Sequence, residues 1–253
     1  MIGARLTHIV RHPIKSVGFE EITRAALTEG RPFPHDRRWA IATEALTTDA
    51  DVVDWHPKMR FVRGAAEGTL QAIRISHDPD TGTVRLTHPA RDPFEGRLPE
   101  GAAALVDWVR PMWPANRPAP SRLVRCVDDA ALSDQPEPLV SILNLASLRA
   151  LEGKMGQSLS IHRFRGNLWI DGCEPWAEFG WIGQTLAIGP ARLRIEARIT
   201  RCIATTFDPD TGHPAGDTLD TLQSGWGHQD LGVFARVIQS GTVAIDDPVE
   251  PCA

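Results

Sequence analysis

Cysteine is scarce in this 253-residue chain, and the four present, Cys126, Cys173, Cys202 and Cys252, stand far apart. No CxxC pair or Cys/His cluster offers the spacing of a zinc site, and iron–sulfur spacing is missing too. The chain therefore has no obvious electron-relay cluster of its own, and in a reducing compartment its cysteines are expected to be free thiols. No apolar stretch approaches the roughly 20 residues that span a bilayer. The opening MIGARLTHIVRHPIKS lacks the apolar core and small-residue cleavage site of a secretory signal. These absences point to the cytoplasm, with no membrane partner. Positive charge is not in excess either: 27 Lys+Arg stand against 32 Asp+Glu, for a formal charge of −5. That is the wrong sign for a dedicated nucleic-acid binder, although net charge leaves a local basic site open. Motifs of the GxxxxGK[ST], GxGxxG, HExxH and GxSxG types are absent. Their absence removes the commonest kinase, nicotinamide-enzyme and hydrolase readings at the motif level.

What is present is the composition of an ordinary globular protein, 42% hydrophobic and 23% charged. The length suits one large domain or two smaller ones. The organisation reads as mostly β with a few helices, an α+β pattern. Residues 72–76 (AIRIS) and 83–87 (TVRLT) alternate apolar and polar side chains around HDPDTG, a hairpin signature. The letters DPDTG recur at 208–212, so the motif alone is turn chemistry: Pro fixes φ and Gly supplies a positive one. Further strands are expected over 1–10, 38–42, 167–171, 185–188, 193–197, 233–238 and 242–245. Helices are expected over 102–113, ended or kinked by Pro111, and over 144–156, closed by glycines. The best linker is PANRPAP at 114–120. Short strands with frequent turns favour a barrel or sandwich over a parallel α/β sheet.

Three basic clusters stand where strands begin or end: Lys15 with Ser16 in HPIKSVG, Arg37 with Arg38 in HDRRW, and Arg163 with Arg165 in RFRGN. Cations interleaved with small residues suit an anion such as a phosphate, because the small residues let backbone N–H groups approach. Each cluster alone also fits a solvated strand end. A fourth stretch, RCIATTFDPDTG (201–212), sets Cys202 beside Arg201 on a β-prone run. A cysteine in such a run is more often a small buried hydrophobe. An adjacent arginine favours the thiolate where its side chain points towards the sulfur. Packing and chemistry both stay open at this point.

Taken in order, HPIKSVGFE (12–20), HDRRWAI (35–41), RFRGNLWIDGCEPWAE (163–178), RCIATTFDPDTG (201–212) and GHQDLGVFARVIQSGTVAIDDPV (227–249) resemble the MOSC family over nearly the whole chain. These are relatives of the C-terminal domain of molybdenum-cofactor sulfurases, preceded here by that family's N-terminal β-barrel domain. The resemblance implies a β-barrel-like domain over 1–118 and a MOSC β-barrel core over 119–253. It also implies a molybdenum cofactor, the metal held by the dithiolene of a phosphorylated pterin. In the family pattern Cys202 supplies a thiolate to the metal, a soft ligand suited to it. Lys15 and Ser16 help bind the pterin's phosphate end. Arg37, and Arg165 with Asn167 of the F-R-x-N motif, complete the anion contacts. Thr200 and Arg201 flank the ligand, and Gly232 and Phe234 of LGVF approach the cofactor through the main chain. Asp208 is read as a turn former and hydrogen-bond anchor behind the site. It is also, with His228, a candidate general acid. Cys126 and Cys173 keep a packing role, and Cys252 is expected to be exposed at the tail.

One segment departs from the family pattern: Asp54-Trp55-His56-Pro57-Lys58-Met59 stands where many members carry a Thr-Ala-Arg or Thr-Gln-Arg element, and it is expected to shape the substrate mouth. No ferredoxin-like extension is expected after the barrel, so redox activity is expected to need a separate electron donor, ferredoxin-like or a cytochrome or flavin reductase. The resemblance implies a molybdenum-dependent oxidoreductase acting on a small N-hydroxylated substrate such as a hydroxylamine or amidoxime, the cofactor performing the chemistry. Two alternatives stand beside it: a carrier that passes on the cofactor or a sulfur held on Cys202, and a phosphate-binding barrel without redox chemistry.

Overall fold

The computed structural model describes residues 3–128 and 130–251, so Cys252 lies outside the described residues. Its largest sheet has eight strands in the order Val249–Pro251, Thr185–Ile188, Ala191–Thr200, Asp230–Gln239, Val140–Asn144, Leu168–Asp171, Arg5–Arg11 and Glu20–Ile22. Neighbours run antiparallel except Val140–Asn144 and Leu168–Asp171, which pair parallel. Among the described residues no continuous ladder closes the sheet. The chain around its Val249–Pro251 end is nevertheless laced to the start of Arg5–Arg11, the strand next to the other end, by backbone bonds from Leu6 N to Asp247 O (3.0 Å), Asp246 N to Leu6 O (2.8 Å) and Val249 N to Ala4 O (3.0 Å). The mostly-β fold with few helices is therefore the observed one, and the sheet is barrel-like without being closed.

Period-two alternation explains which way each strand faces. Ile9, Ile142, Ile170, Ile195, Val233 and Val237 share one buried cluster. Val10, Leu143 and Trp169, on the opposite parity, pack in another with Leu148 and Leu151 of α2 (Leu145–Met155). That helix is capped by Asn144, whose Oδ1 accepts from Ala146 N at 3.0 Å, and ends at Gly156 with φ 67°. The earlier part of the chain builds a sheet of Trp39–Thr43, Pro120–Cys126 and Val52–Val53, and a meander of Arg74–His77, Thr83–His88 and Arg91–Arg97. Leu105, Val106 and Val109 of α1 (Ala102–Val109) pack against both. Pro111 follows in a short 3-10 turn, Arg110–Met112, which is where the expected longer helix tightens.

The two DPDTG copies fold alike. Asp78 and Asp208 each accept from backbone N–H groups two and three residues on, and Gly82 (φ 72°) and Gly212 (φ 73°) each donate back to the Asp carbonyl. The repeat is turn chemistry in both places. A third helix, α3 (Thr218–Trp226), was not anticipated. It starts at Asp217, whose Oδ1 accepts from Leu219 N (3.1 Å) and Asp220 N (2.9 Å), and it buries only Thr218 and Leu222.

The segment between residues 12 and 39 positions the site. It leaves the large sheet after Arg11 and enters the small one at Trp39, held by Lys15 N to Trp39 O (2.7 Å) and Arg37 N to His12 O (2.7 Å). Lys15, Ser16 and Arg37 thereby reach the same cleft as Arg165 and Cys202.

Candidate functional site

A cleft of about 330 Å³ opens here. Its lining carries eight Lys or Arg side chains against three carboxylates, in a chain whose formal charge is −5. Charge is thus concentrated against the overall balance, and the cleft favours an anion. Of the residues singled out in the sequence, Lys15, Ser16, Arg37, Arg165, Asn167, Thr200, Arg201, Cys202 and Phe234 line it. Asp208, His228 and Gly232 do not.

Three of the lining residues hold strained backbone: Ser16 at φ 59°, Arg37 at 49° and Arg165 at 47°. A left-handed non-glycine residue costs roughly 1–2 kcal/mol, and such strain collects at ligand clamps. Each is fixed by its neighbours. Ser16 lies in the turn closed by Val17 N to Ile14 O (3.1 Å), and Arg165 ends the 3-10 turn Ile161–Phe164. Arg37 donates Nη2 to Arg165 O at 2.9 Å and Nη1 to Asp36 Oδ2.

Asp36 and His12 stand behind these cations, and the sequence reading gave neither a role. Asp36 Oδ1 accepts from His12 N (2.7 Å) and His12 Nδ1 (3.1 Å). Burial alone would raise Asp36, but the Arg37 guanidinium and the His12 bonds hold it ionised, well below the usual carboxylate range. Burial, with Arg165 and Arg37 nearby, pushes His12 down to about 3, so the ring is neutral. Its Nδ1–H then faces the carboxylate, and among the described residues Nε2 is a buried acceptor with no partner.

Lys15 is buried, and burial pulls its ammonium down to about 8 even though Asp134 Oδ1 lies 2.6 Å away. Burial likewise lowers Arg165 to about 9. Arg165 donates Nη2 to Gly18 O at 3.3 Å, while its buried Nη1 has no acceptor among the described residues. An unpaired cationic donor in a cleft of cations is what an anionic ligand would satisfy.

Cys202 answers the question its motif raises. Its side chain is exposed in the cleft, whereas Cys126 is fully buried and burial pushes its thiol up to about 11. The half-buried Cys173 thiol is raised by burial too. The Cys202 carbonyl accepts from Thr205 N and Thr205 Oγ1, both at 3.1 Å, and Thr205 Oγ1 meets Thr218 Oγ1 at 2.6 Å. The unanticipated α3 therefore steadies the cysteine's turn.

Several other residues are already committed to the scaffold. Arg201 is buried and donates Nε to Leu231 O (2.8 Å) and Nη1 to Phe164 O (2.8 Å), with burial lowering it to about 9. Its charge lies beside Cys202 in the chain, but these donors face main-chain carbonyls. Asn167 Oδ1 accepts from Ser141 N (3.2 Å) and Oγ (2.8 Å), and Nδ2 donates to Val10 O (3.3 Å). Thr200 Oγ1 donates to Asp230 Oδ1 at 2.7 Å. Gly232 has φ 82°, and a Cβ there would lie 2.7 Å from Leu143 Cγ and 2.8 Å from Ile142 O. Asp208 Oδ2 accepts from the buried Arg163 at 3.2 Å. His228 packs edge-on to Trp176 and Phe179, and Lys58, from the segment that departs from the family pattern, lines the cleft.

Known families match this chain along its length. The MOSC N-terminal β-barrel domain matches residues 3–117 and the MOSC domain residues 129–250. The mitochondrial amidoxime-reducing component 1 of Mus musculus is 33% identical over 94% of this chain and 79% of its own length. That of Homo sapiens is 33% identical over 94% and 80%. The crystal structure of the YUAD protein from Bacillus subtilis aligns over 97% of this chain and 93% of its own, with 12% identity and a TM-score of 0.45, too distant to carry an argument.

Proposed function

The chain belongs to the MOSC family, and on that premise we propose that it is a molybdenum-cofactor-dependent oxidoreductase that reduces small N-hydroxylated substrates with electrons from a separate donor. One observation supports this above the others: an exposed cysteine in a cleft where eight cations gather. When bound, the cofactor supplies two-electron chemistry at molybdenum.

The residues present fit such a group. Cys202 offers a soft sulfur ligand at an accessible position. Lys15, Ser16, Arg37 and Arg165 would hold the phosphate end, with Arg165 Nη1 a donor that lacks an acceptor among the described residues. Asp36 keeps Arg37 oriented, and His12 keeps Asp36 oriented. Arg201 acts through the main chain, bracing the carbonyls of Leu231 and Phe164 so that the strand bearing Gly232 and Phe234 keeps its place. We assign Asn167 and Thr200 to bracing the walls of the cleft, and Asp208 to the turn behind it. The division into a 1–118 β-barrel-like domain and a 119–253 MOSC domain belongs to this reading, as does the cytoplasm as its compartment.

The carrier reading uses the same cofactor-holding residues, and the exposure of Cys202 suits a hand-off. Mass spectrometry of molybdenum and pterin, on protein from a cofactor-competent host beside Cys202→Ser, decides the site. Near-stoichiometric metal in the parent and its loss in the variant is the expected result. Turnover of an N-hydroxylated substrate with a reduced dye then separates enzyme from carrier. Equal metal in parent and variant would remove Cys202 from the site.

A further inference from the structure

The partner of Lys15 comes from an unexpected place. Lys15 keeps only 4% of its side-chain surface exposed, and among the described residues its Nζ donates to Asp134 Oδ1 at 2.6 Å. The other oxygen, Oδ2, takes Lys58 Nζ at 3.2 Å. Asp134 belongs to no strand or helix. It lies in an irregular segment between Leu132 and Val140, both fully buried, while 134–137 face solvent. The segment starts at the cleft itself, where Leu132 N donates to Arg37 O at 2.9 Å. Further along, the Trp55 indole Nε1 donates to Ser133 O at 3.1 Å. Trp55 and Lys58 both come from the stretch that departs from the family pattern.

We infer that Asp134 is a built-in stand-in for the ligand's phosphate: it sits in the Lys15 seat when the cleft is empty, and a phosphate dianion displaces it, releasing segment 133–137. Three observations carry this. A buried ammonium left alone would be an uncompensated charge, so the ligand-free chain needs an anion at this point. Asp134 meets that need poorly, because one carboxylate faces a seat with more donors than it uses. Lys15 has three donors, and among the described residues Arg165 Nη1 in the same cleft has no acceptor. The stand-in is also easy to remove: 49% of its side-chain surface is exposed, its second oxygen pairs with the exposed Lys58, and the Trp55 bond falls on its neighbour Ser133. A phosphate brings more charge and more oxygens to the same donors.

Asp134 is then an intramolecular competitor that lowers the apparent affinity of the seat. Trp55 and Lys58 hold it close enough to return when the seat empties. This inference rests on Lys15 being an anion seat, which is part of the proposed function, and the test separates the two. The ligand-free full chain, made in a host lacking the cofactor, is titrated with inorganic phosphate by calorimetry at fixed ionic strength. The parent is compared with Asp134→Asn and Lys15→Met. Hydrogen exchange of residues 133–137 is followed with and without phosphate.

Asp134→Asn should bind phosphate about tenfold tighter, the factor that follows if the stand-in occupies the seat in about nine molecules in ten. In the parent, phosphate should speed amide exchange at 133–135, and Lys15→Met should abolish binding. Unchanged or weaker binding by Asp134→Asn, or slower exchange at 133–135, would overturn the displacement while leaving the seat intact. Undiminished binding by Lys15→Met, or no binding by either parent or Asp134→Asn, would overturn the seat and the displacement with it. Asp134→Asn keeps the shape of the side chain and an acceptor oxygen for Lys15 Nζ while removing the charge, so the comparison survives even if Lys15→Met folds poorly.

Discussion

Arg37 donates its Nη2 to the main-chain carbonyl of Arg165 at 2.9 Å, and both residues hold left-handed backbone. Two cations from sequence positions 128 residues apart are thus locked together before any ligand arrives. The two guanidinium charges repel, and Asp36, ionised between Arg37 and the neutral His12, offsets that repulsion.

Asp36→Asn should therefore destabilise the chain and loosen Arg37. Breaking a buried ion pair from one side costs about 3–5 kcal/mol. The pH dependence has a definite sign. The folded pKa of Asp36 lies below its unfolded value of 3.8, so its contribution is fully present above that value and is lost as the pH falls. Urea unfolding of parent and variant at pH 7 and pH 3.5 should show a gap that narrows at the lower pH. A gap that stays constant would mean that Asp36 contributes shape rather than charge.

Gly232 tests whether the main chain beside Arg201 is as tightly set as it looks. At φ 82° an alanine is strained, and its Cβ would press on Leu143 and on the Ile142 carbonyl. Gly232→Ala should lose roughly 1–3 kcal/mol from this overpacking. Gly153, on α2, has nothing within 4 Å of its missing Cβ. Gly153→Ala should gain about 0.5–1 kcal/mol from helix propensity. Thermal unfolding of the pair reads both signs, and equal shifts would refute the packing argument.

Local chemistry was legible in the sequence, and partnerships across the chain were not. The hairpin around residues 78–82 and the second DPDTG turn follow from Pro and Gly at fixed positions, and both fold as read. Helix α2 announces itself through leucine spacing, Asn144 and Gly156. Helix α3 does not, because it buries a single leucine and contains Gly225; its one signal was Asp217 before Thr218. At the cleft, Lys15, Arg37, Arg165 and Cys202 stand out as motifs. Asp134 lies in SDQPEP, which reads as an ordinary polar loop, and nothing local ties it to a lysine 119 residues away. Asp36 and His12 lie within the motifs at 12–20 and 35–41, yet their pairing needs the fold of the connecting segment, which joins residues 12 and 37.

Thiol accessibility gives the quickest check on Cys202. In the native ligand-free chain at neutral pH, iodoacetamide should alkylate Cys202 well ahead of Cys126, which is buried and holds its proton up to about 11. Peptide mass mapping over a time course reads the order directly. Cofactor-loaded protein should show Cys202 protected. Equal labelling with and without the cofactor would separate the thiol from the ligand.

Lys15 sets a pH dependence that only its own substitution can isolate. Burial lowers its pKa from 10.5 to about 8, so between these values the unfolded chain holds a proton that the folded chain has released. Stability contributed through Lys15 therefore rises with pH across that window, since the unfolded state binds more protons there. Other groups titrate in the same range, Cys126 with the opposite sign, so the parent alone is uninformative. The difference between Lys15→Met and parent isolates the lysine. Any advantage of the variant should be largest below pH 8 and shrink as the pH rises towards 10.5. Phosphate binding should move the other way, weakening as the pH passes about 8 and the ammonium is lost. Denaturant unfolding and phosphate titration on the same two proteins, at pH 7 and pH 9.5, read both trends. A stability difference that does not change with pH would place the Lys15 ammonium in a far wetter setting than its burial implies.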